Sequence, residues 1–272
     1  MKRRCVKEGL LLEIFKTDNA QIHYQLSGNE KADAVVWAHG WGQNHKSFEA
    51  LIQPLSQNAQ HYAIDFPGFG LSPEPSNAWD TAAYADAMAA LIKKKTSTPV
   101  TWVGHSFGCR VGLQIAARHP ELIKGLFLIA GAGLPRKRSL FKKLHIKARI
   151  YTYKFLKALI PIGLINKEWL IRTFSAPDFK NASGIVRQIF VKVVNEDLSE
   201  QARSITCPTI LVYGENDTET PPEIGERLNK LISGSKMIHL AGQDHYSVLA
   251  EGRHQVTPLL KKFIEKLSPT HD

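Results

Sequence analysis

Three features of the sequence predict an α/β fold, a mostly parallel eight-stranded sheet flanked by helices. Short apolar runs alternate with helical patterns, the signature of βαβ units around a parallel sheet. A glycine-flanked turn at 104–108 joins one such run directly to a helix. A basic, helical insertion then interrupts the alternation after the sixth strand.

The elements follow in chain order. Residues 10–15 and 21–26 form an opening antiparallel pair, and the run AVVWA at 34–38 is a fully buried strand. The turn His39-Gly40-Trp41-Gly42 leads to a helix near 47–55. Residues 62–65 form the next strand, closed by Asp65-Phe66-Pro67-Gly68-Phe69-Gly70. An Ala-rich helix covers 80–94, a strand 100–103, a helix 107–118 and a strand 122–129. Two further strands lie at 209–213 and 236–240, and a last helix near 256–267. The layout divides the chain into a core, 1–133 with 205–272, and a helical lid, 134–204.

Composition limits the functional classes. The 272 residues are 43% hydrophobic, enough for a large core. No apolar run reaches the roughly 18 residues that a membrane span needs. The start MKRRC resembles the charged region of an export signal, but Leu10-Leu11-Leu12 stops at Glu13, short of the roughly 7 apolar residues required. Export is not expected. Cys5, Cys109 and Cys207 show no paired spacing and imply free thiols in a reducing, cytoplasmic compartment, with no metal site and no cofactor.

The net charge is +10, and between 134 and 172 eleven Lys or Arg face one acid, Glu168, so this segment holds the whole excess. Residues 140–160 carry an amphipathic helical pattern. Leu140, Phe141, Leu144, Ala148, Tyr151, Phe155, Ala158 and Leu159 share one face; Lys142, Lys143, Lys147, Arg149, Lys154 and Lys157 share the other. The apolar face is expected to close over the site. The basic face is either a solvated surface or a dock for an acidic carrier protein or an anionic membrane surface. No nucleic-acid partner is expected, and the oligomeric state is not legible.

The chemistry concentrates at Val103-Gly104-His105-Ser106-Phe107-Gly108, a G-x-S-x-G turn between a buried strand and a helix. Such a turn strains the backbone at the serine, and small flanking residues are needed to avoid clashes. It also presents the hydroxyl at the carboxyl edge of the sheet, beside a helix N-terminus suited to a developing anion. A serine needs a base, and His245, in the loop after the last strand, stands where the order Ser, acid, His requires it. His39 precedes a Gly in the first tight turn and shapes that loop. His105 points elsewhere on the nucleophile turn, and His239 packs within a strand. Asp217, directly after the penultimate strand, is the orienting acid; Glu215, Glu219 and Asp244 are rivals. The backbone N–H groups of Trp41 and Phe107 are candidate oxyanion donors, and His39, Gly40 and His105 candidate substrate contacts.

With these pieces in place, the chain resembles the α/β-hydrolase superfamily over nearly its whole length, through HGWG, DFPGFGLS, GHSFG, YGEND and the final DH. The resemblance implies nucleophile Ser106, acid Asp217, base His245 and donors Trp41 and Phe107. HGWG with D-x-PGFG is similar to the carboxylesterase branch that includes pimeloyl-carrier-protein methyl ester esterases, which implies a small acyl ester or thioester as substrate. Val194-Asn195-Glu196-Asp197-Leu198 is similar to a segment of bacterial hydrolases without a characterised substrate. Ser rather than Asp at the turn argues against dehalogenase and epoxide hydrolase chemistry. The first turn lacks S-G-x-G, which makes carbon–carbon bond hydrolysis a weaker alternative. A non-catalytic receptor or scaffold is the other one.

Overall fold

The structure is a computed structural model and describes residues 11–137, 140–162, 164–174, 182 and 184–268. Eight strands form one sheet: β1 (Leu11–Lys16), β2 (Gln21–Gly28), β3 (Ala34–Ala38), β4 (Gln60–Asp65), β5 (Val100–His105), β6 (Ile123–Ile129), β7 (Thr209–Gly214) and β8 (Lys236–Leu240). Their spatial order is β1-β2-β4-β3-β5-β6-β7-β8. β1 pairs antiparallel with β2, and β2 with β4. From β4 to β8 every pairing is parallel, in a register that sets Val36 beside Tyr62, Val103 beside Phe127 and Ile129 beside Val212.

Burial follows position in the sheet. The central strands β3 and β5 are buried at every residue, which is why they read as unbroken apolar runs. The edge strand β1 alternates between half-buried and exposed residues. β8 forms the opposite edge, and His239 faces solvent there rather than packing inside, a correction to the sequence reading. A strand at an edge has a neighbour on one side, so sequence position within a strand does not ensure burial.

Helices cover both faces. After a helical turn, α1 (Glu49–Ile52), come α2 (Thr81–Lys95), α3 (Phe107–Arg118), α4 (Leu140–Ala158), α5 (Lys167–Phe174), α6 (Gly184–Asn195), α7 (Ser199–Ser204), α8 (Pro222–Leu231) and α9 (Arg253–Leu267). Tyr84, Met88 and Leu91 of α2, Leu113 of α3 and Leu228 of α8 pack on one face, around Trp102 and Tyr213. Phe48, Leu51, Val256, Leu260 and Phe263 pack on the other, around Trp37 and Phe127. α8 has no counterpart in the sequence reading. α4 to α7 are inserted between β6 and β7.

α4 differs from expectation in its packing face. Phe141, Leu144, Tyr151 and Phe155 are 85%, 65%, 69% and 66% exposed, so the apolar face expected to cover the site meets solvent instead. Within α4 the half-buried side chains are Tyr153 and Leu156, on a different face; just beyond the helix Ile160 and, of the expected face, Leu159 are half-buried too. The reason lies in α5. Tyr153 packs against Phe174 at 6.0 Å with the rings tilted by 56°, the Arg149 guanidinium lies 5.6 Å from the same ring, and Arg149 donates to the Thr173 carbonyl at 3.0 Å. Cation–π and aromatic contacts together hold this face against the neighbouring helix. The side chains of Leu140, Lys142 and Lys143, as well as Cys5, lie outside the described residues.

Candidate active site

Ser106 sits between β5 and α3 with φ +48° and ψ −103°, a conformation that a residue with a side chain adopts only when its surroundings impose it. Those surroundings are backbone. A Cβ on Gly108 would lie 1.9 Å from the Ala38 carbonyl oxygen, and one on Gly104 would lie 2.7 Å from the Gly108 carbonyl. Both positions therefore require glycine. Ser106 N–H donates to the Ile129 carbonyl at 3.1 Å and fixes the turn to β6. Phe107 opens α3, where first-turn N–H groups have no acceptor within the helix.

The loops after β7 and β8 carry the other two candidates. Asn216 N–H donates to Gln243 O at 2.9 Å and Glu215 N–H to Leu240 O at 3.1 Å, so backbone bonds join the two loops. Gly214 allows this approach, since a Cβ there would lie 2.4 Å from Gln243 O. His245 Nδ1 and Asp217 Oδ2 are 2.8 Å apart, and both side chains are buried. Asp217 Oδ1 accepts the backbone N–H of Glu219 at 2.8 Å and of Thr220 at 2.7 Å. Burial pulls the Asp217 pKa up, but the bond and charge of His245 and the donors of Thr220 outweigh it and leave a stable carboxylate below its ordinary range.

Thr220 was absent from the sequence reading. Its hydroxyl lies 2.9 Å from Asp217 Oδ2, 2.9 Å from the Ala130 carbonyl and 3.1 Å from His245 Nδ1. It braces the acid and the base against the end of β6. The signal available in sequence was a threonine three residues after a strand-end aspartate, a spacing common in turns.

Ser106, His245, Trp41, Phe107, Gly40 and His105 line one cavity of about 450 Å³, with Arg110, Arg136, Phe190 and Glu219 among the other walls. Asp217 stands behind His245. Trp41 packs edge-to-face on Phe69, Phe107 and Phe190 at 4.8, 5.5 and 5.0 Å, which holds the first turn over the start of α3.

Two expected substrate contacts have other work. His39 is fully buried and does not line the cavity; Nδ1 meets Gly40 O at 2.7 Å, and Nε2 accepts Phe66 N–H at 3.1 Å. Its burial pushes the pKa down to about 4, so the ring is neutral and links the first turn to the loop after β4. His105 touches the cavity wall but is also buried, with Nδ1 3.1 Å from Gln43 Oε1 and Nε2 2.9 Å from the His245 carbonyl. Burial, then the neighbouring His245, lowers its pKa to about 3. Both imidazoles brace loops and leave no ring nitrogen for substrate. Among the rival carboxylates, Asp244 is exposed and accepts the N–H groups of Tyr246 and Ser247.

Asp65 of DFPGFG and Glu196 of VNEDL have structural partners too. Asp65 accepts His45 N–H at 2.7 Å and Leu71 N–H at 2.8 Å, and Gly70, at φ +57°, admits this because a Cβ would lie 2.3 Å from the Asp65 carboxyl carbon. Glu196 holds Thr81 through N–H and hydroxyl, while its carbonyl accepts Arg110 at 3.2 Å. The insertion's return to the core is anchored there. Among the described residues no His, Cys, Asp and Glu group suits a metal ion.

A family model described as alpha/beta hydrolase fold matches residues 33–159, and one described as TAP-like protein matches 188–272. The chain has the α/β-hydrolase fold. Relatives of this α/β-hydrolase include the pimeloyl-[acyl-carrier protein] methyl ester esterase of Neisseria meningitidis serogroup C, 29% identical over 85% of this chain and 93% of that protein. An uncharacterised hydrolase of Bacillus subtilis is 25% identical over 92% and 97%. Among solved structures, an esterase from Exiguobacterium antarcticum superposes with TM-score 0.73 at 23% identity, covering 93% of this chain and 98% of that one. A bacterial membrane phospholipase A does so with TM-score 0.75 at 23% identity, covering 95% and 87%.

Proposed function

We propose that this α/β-hydrolase cleaves carboxylic esters or thioesters through an acyl-enzyme on Ser106. The observation that carries the reading is one cavity wall shared by a strained serine at a helix N-terminus and a histidine bonded to a buried carboxylate. Ser106 Oγ attacks the acyl carbonyl while His245 Nε2 takes its proton, and the oxyanion lies against the N–H groups of Trp41 and Phe107. Asp217 stays ionised, holds the Nδ1–H tautomer and stabilises the imidazolium. The intermediate collapses, and the alcohol or thiol leaves with the proton from His245. Water, deprotonated by His245, then attacks the acyl-enzyme; the second intermediate releases the acid and restores the Ser106 hydroxyl.

The helices between β6 and β7 act as the lid, 134–204, on the core of 1–133 and 205–272. The relatives named as acyl-carrier-protein methyl ester esterases support an acyl ester as substrate. The basic lid is where an acidic carrier protein or an anionic membrane surface would present it. A fluorophosphonate should label Ser106 stoichiometrically, and Ser106→Ala should abolish both labelling and turnover of a short p-nitrophenyl ester. Labelling of the Ala variant at the wild-type rate would overturn the assignment.

A further inference from the structure

The chemistry accounts for the cavity but not for the outward face of α4. Phe141, Leu144, Ala148, Tyr151 and Phe155 recur at alternating steps of three and four residues, so they form one stripe along the helix. All five are exposed, and Ile162 and Leu164, just beyond the helix, are exposed as well. Isolated surface hydrophobes are ordinary, but a continuous row of large ones marks an interaction surface. Lys147, Lys154 and Lys157 are exposed on the same helix, and no acid lies between residues 134 and 167. The helix is 19 residues long, about 28 Å at 1.5 Å per residue.

We propose that α4 docks this enzyme on an anionic lipid bilayer, with the apolar stripe in the headgroup region and the lysines against lipid phosphates. Charge and shape select this occupant. A second copy of the chain would fit the three-four spacing of the stripe, but it would bring Lys147 and Lys154 against the same residues of its partner with no acid to offset them. An acidic carrier protein would satisfy the lysines and leave a row of exposed aromatic and leucine side chains without a role. A bilayer with anionic lipids satisfies both. Amphipathic helices with lysine on one side and Phe and Leu on the other lie about 5–10 Å deep in such an interface. No helix among the described residues is long and apolar enough to cross a membrane, so α4 lies on the surface rather than spanning it.

The position of α4 gives the docking a consequence. Arg136 lines the cavity, and α4 begins four residues later, a reach of at most about 14 Å. A bilayer under α4 therefore lies close to the cavity and delivers a lipid-soluble acyl ester to it. This delivery rests on the ester-hydrolase reading; the docking itself does not.

The test is flotation of the full chain with vesicles of phosphatidylcholine alone or mixed equally with phosphatidylglycerol, at low and at physiological salt. Wild type should float with the mixed vesicles and not with the neutral ones. Leu144→Ser, Tyr151→Ser and Phe155→Ser together should abolish flotation. Lys147→Gln and Lys154→Gln, which flank the stripe, together should weaken it by about thirtyfold, near fivefold per lysine. Both variants should keep wild-type turnover of a short soluble ester, which also shows that they fold, and should lose turnover of a vesicle-embedded long-chain ester. Wild type that stays in solution with anionic vesicles overturns the proposal. So does an apolar triple variant that changes only the oligomeric state in sedimentation, which assigns the stripe to a second copy. So does a lysine variant that loses an acyl-carrier-protein substrate while vesicle binding is unchanged. Flotation without turnover of either ester would leave the docking standing and refute the hydrolase reading instead.

Discussion

Replacing Asp217 by Asn tests the site with one atom. In the wild type, Oδ1 accepts two backbone N–H groups, at 2.8 and 2.7 Å, and Oδ2 faces His245 Nδ1 at 2.8 Å. An asparagine must keep its carbonyl oxygen at the Oδ1 position, because its NH2 group there would oppose two donors. The NH2 group is thereby forced toward His245. Nδ1 must then accept, and the imidazole proton moves to Nε2, which faces the cavity and has to be bare to act as a base. The fold retains both backbone bonds, yet the productive tautomer is lost. The expected loss in kcat is about 10²–10⁴, equivalent to about 3–5 kcal/mol of transition-state stabilisation. Steady-state hydrolysis of a short ester, with circular dichroism to confirm folding, measures it. Asp244→Asn, changed on an exposed loop carboxylate, should stay within about threefold of wild type. An Asp217→Asn enzyme within threefold, or a larger loss at Asp244, would refute the assignment and the tautomer argument together.

Two further outcomes concern stability. Gly108→Ala places a Cβ 1.9 Å from a carbonyl oxygen of β3, a neighbour that cannot swing aside. It should cost about 3 kcal/mol and lower the Tm by about 6–12 °C, with loss of Ser106 labelling; an unchanged melting curve would show that the turn has slack. Acid should destabilise the protein well above the carboxylate range. His39, His61 and His105 have pKa values lowered to about 4, 4 and 3 by burial, so the folded state leaves them neutral while the unfolded chain protonates them near 6.5. Their contribution is fully present above about pH 6.5 and is lost as pH falls toward 4, with a slope of up to about 4 kcal/mol per pH unit for three protons. Urea midpoints at pH 7.5, 6.5, 5.5 and 4.5 measure it, and a midpoint unchanged from 7.5 to 5.5 would contradict the three neutral imidazoles.

The parts of the site legible in the sequence are those with strictly local causes. The serine turn needs Gly104 and Gly108 because of backbone contacts within and beside it, and the strand before and helix after it each have their own periodicity. The loops proposed to carry the acid and the base follow strands whose apolar runs are complete within five or six residues. What escaped depends on tertiary neighbours. Thr220 has meaning only beside Ala130, ninety residues earlier in the chain. α8 begins at consecutive prolines and contains Gly225, and both residue types read as loop. Proline is nonetheless at home in a first helical turn, and Gly225 is needed because a Cβ would lie 2.5 Å from the Tyr213 ring. His39 and His105 have the residue type of catalytic groups, and only their partners reveal them as braces. The amphipathic pattern of α4 gave the chemistry of each face, but which face packs was set by Phe174 on another helix.

The rings of Tyr84, Phe107, Trp41 and Phe190 meet in sequence, at 5.2, 5.5 and 5.0 Å, each nearly perpendicular to the next or tilted by at least 63°. This row runs from the core helix α2 through the start of α3 and the first turn to α6 of the insertion. An acyl chain lying beside Phe190 would therefore press on the Trp41 indole, which belongs to the residue proposed to offer its N–H to the oxyanion. Under that reading, filling of the cavity beside Phe190 would be registered as a change in the environment of one tryptophan, next to the proposed oxyanion site.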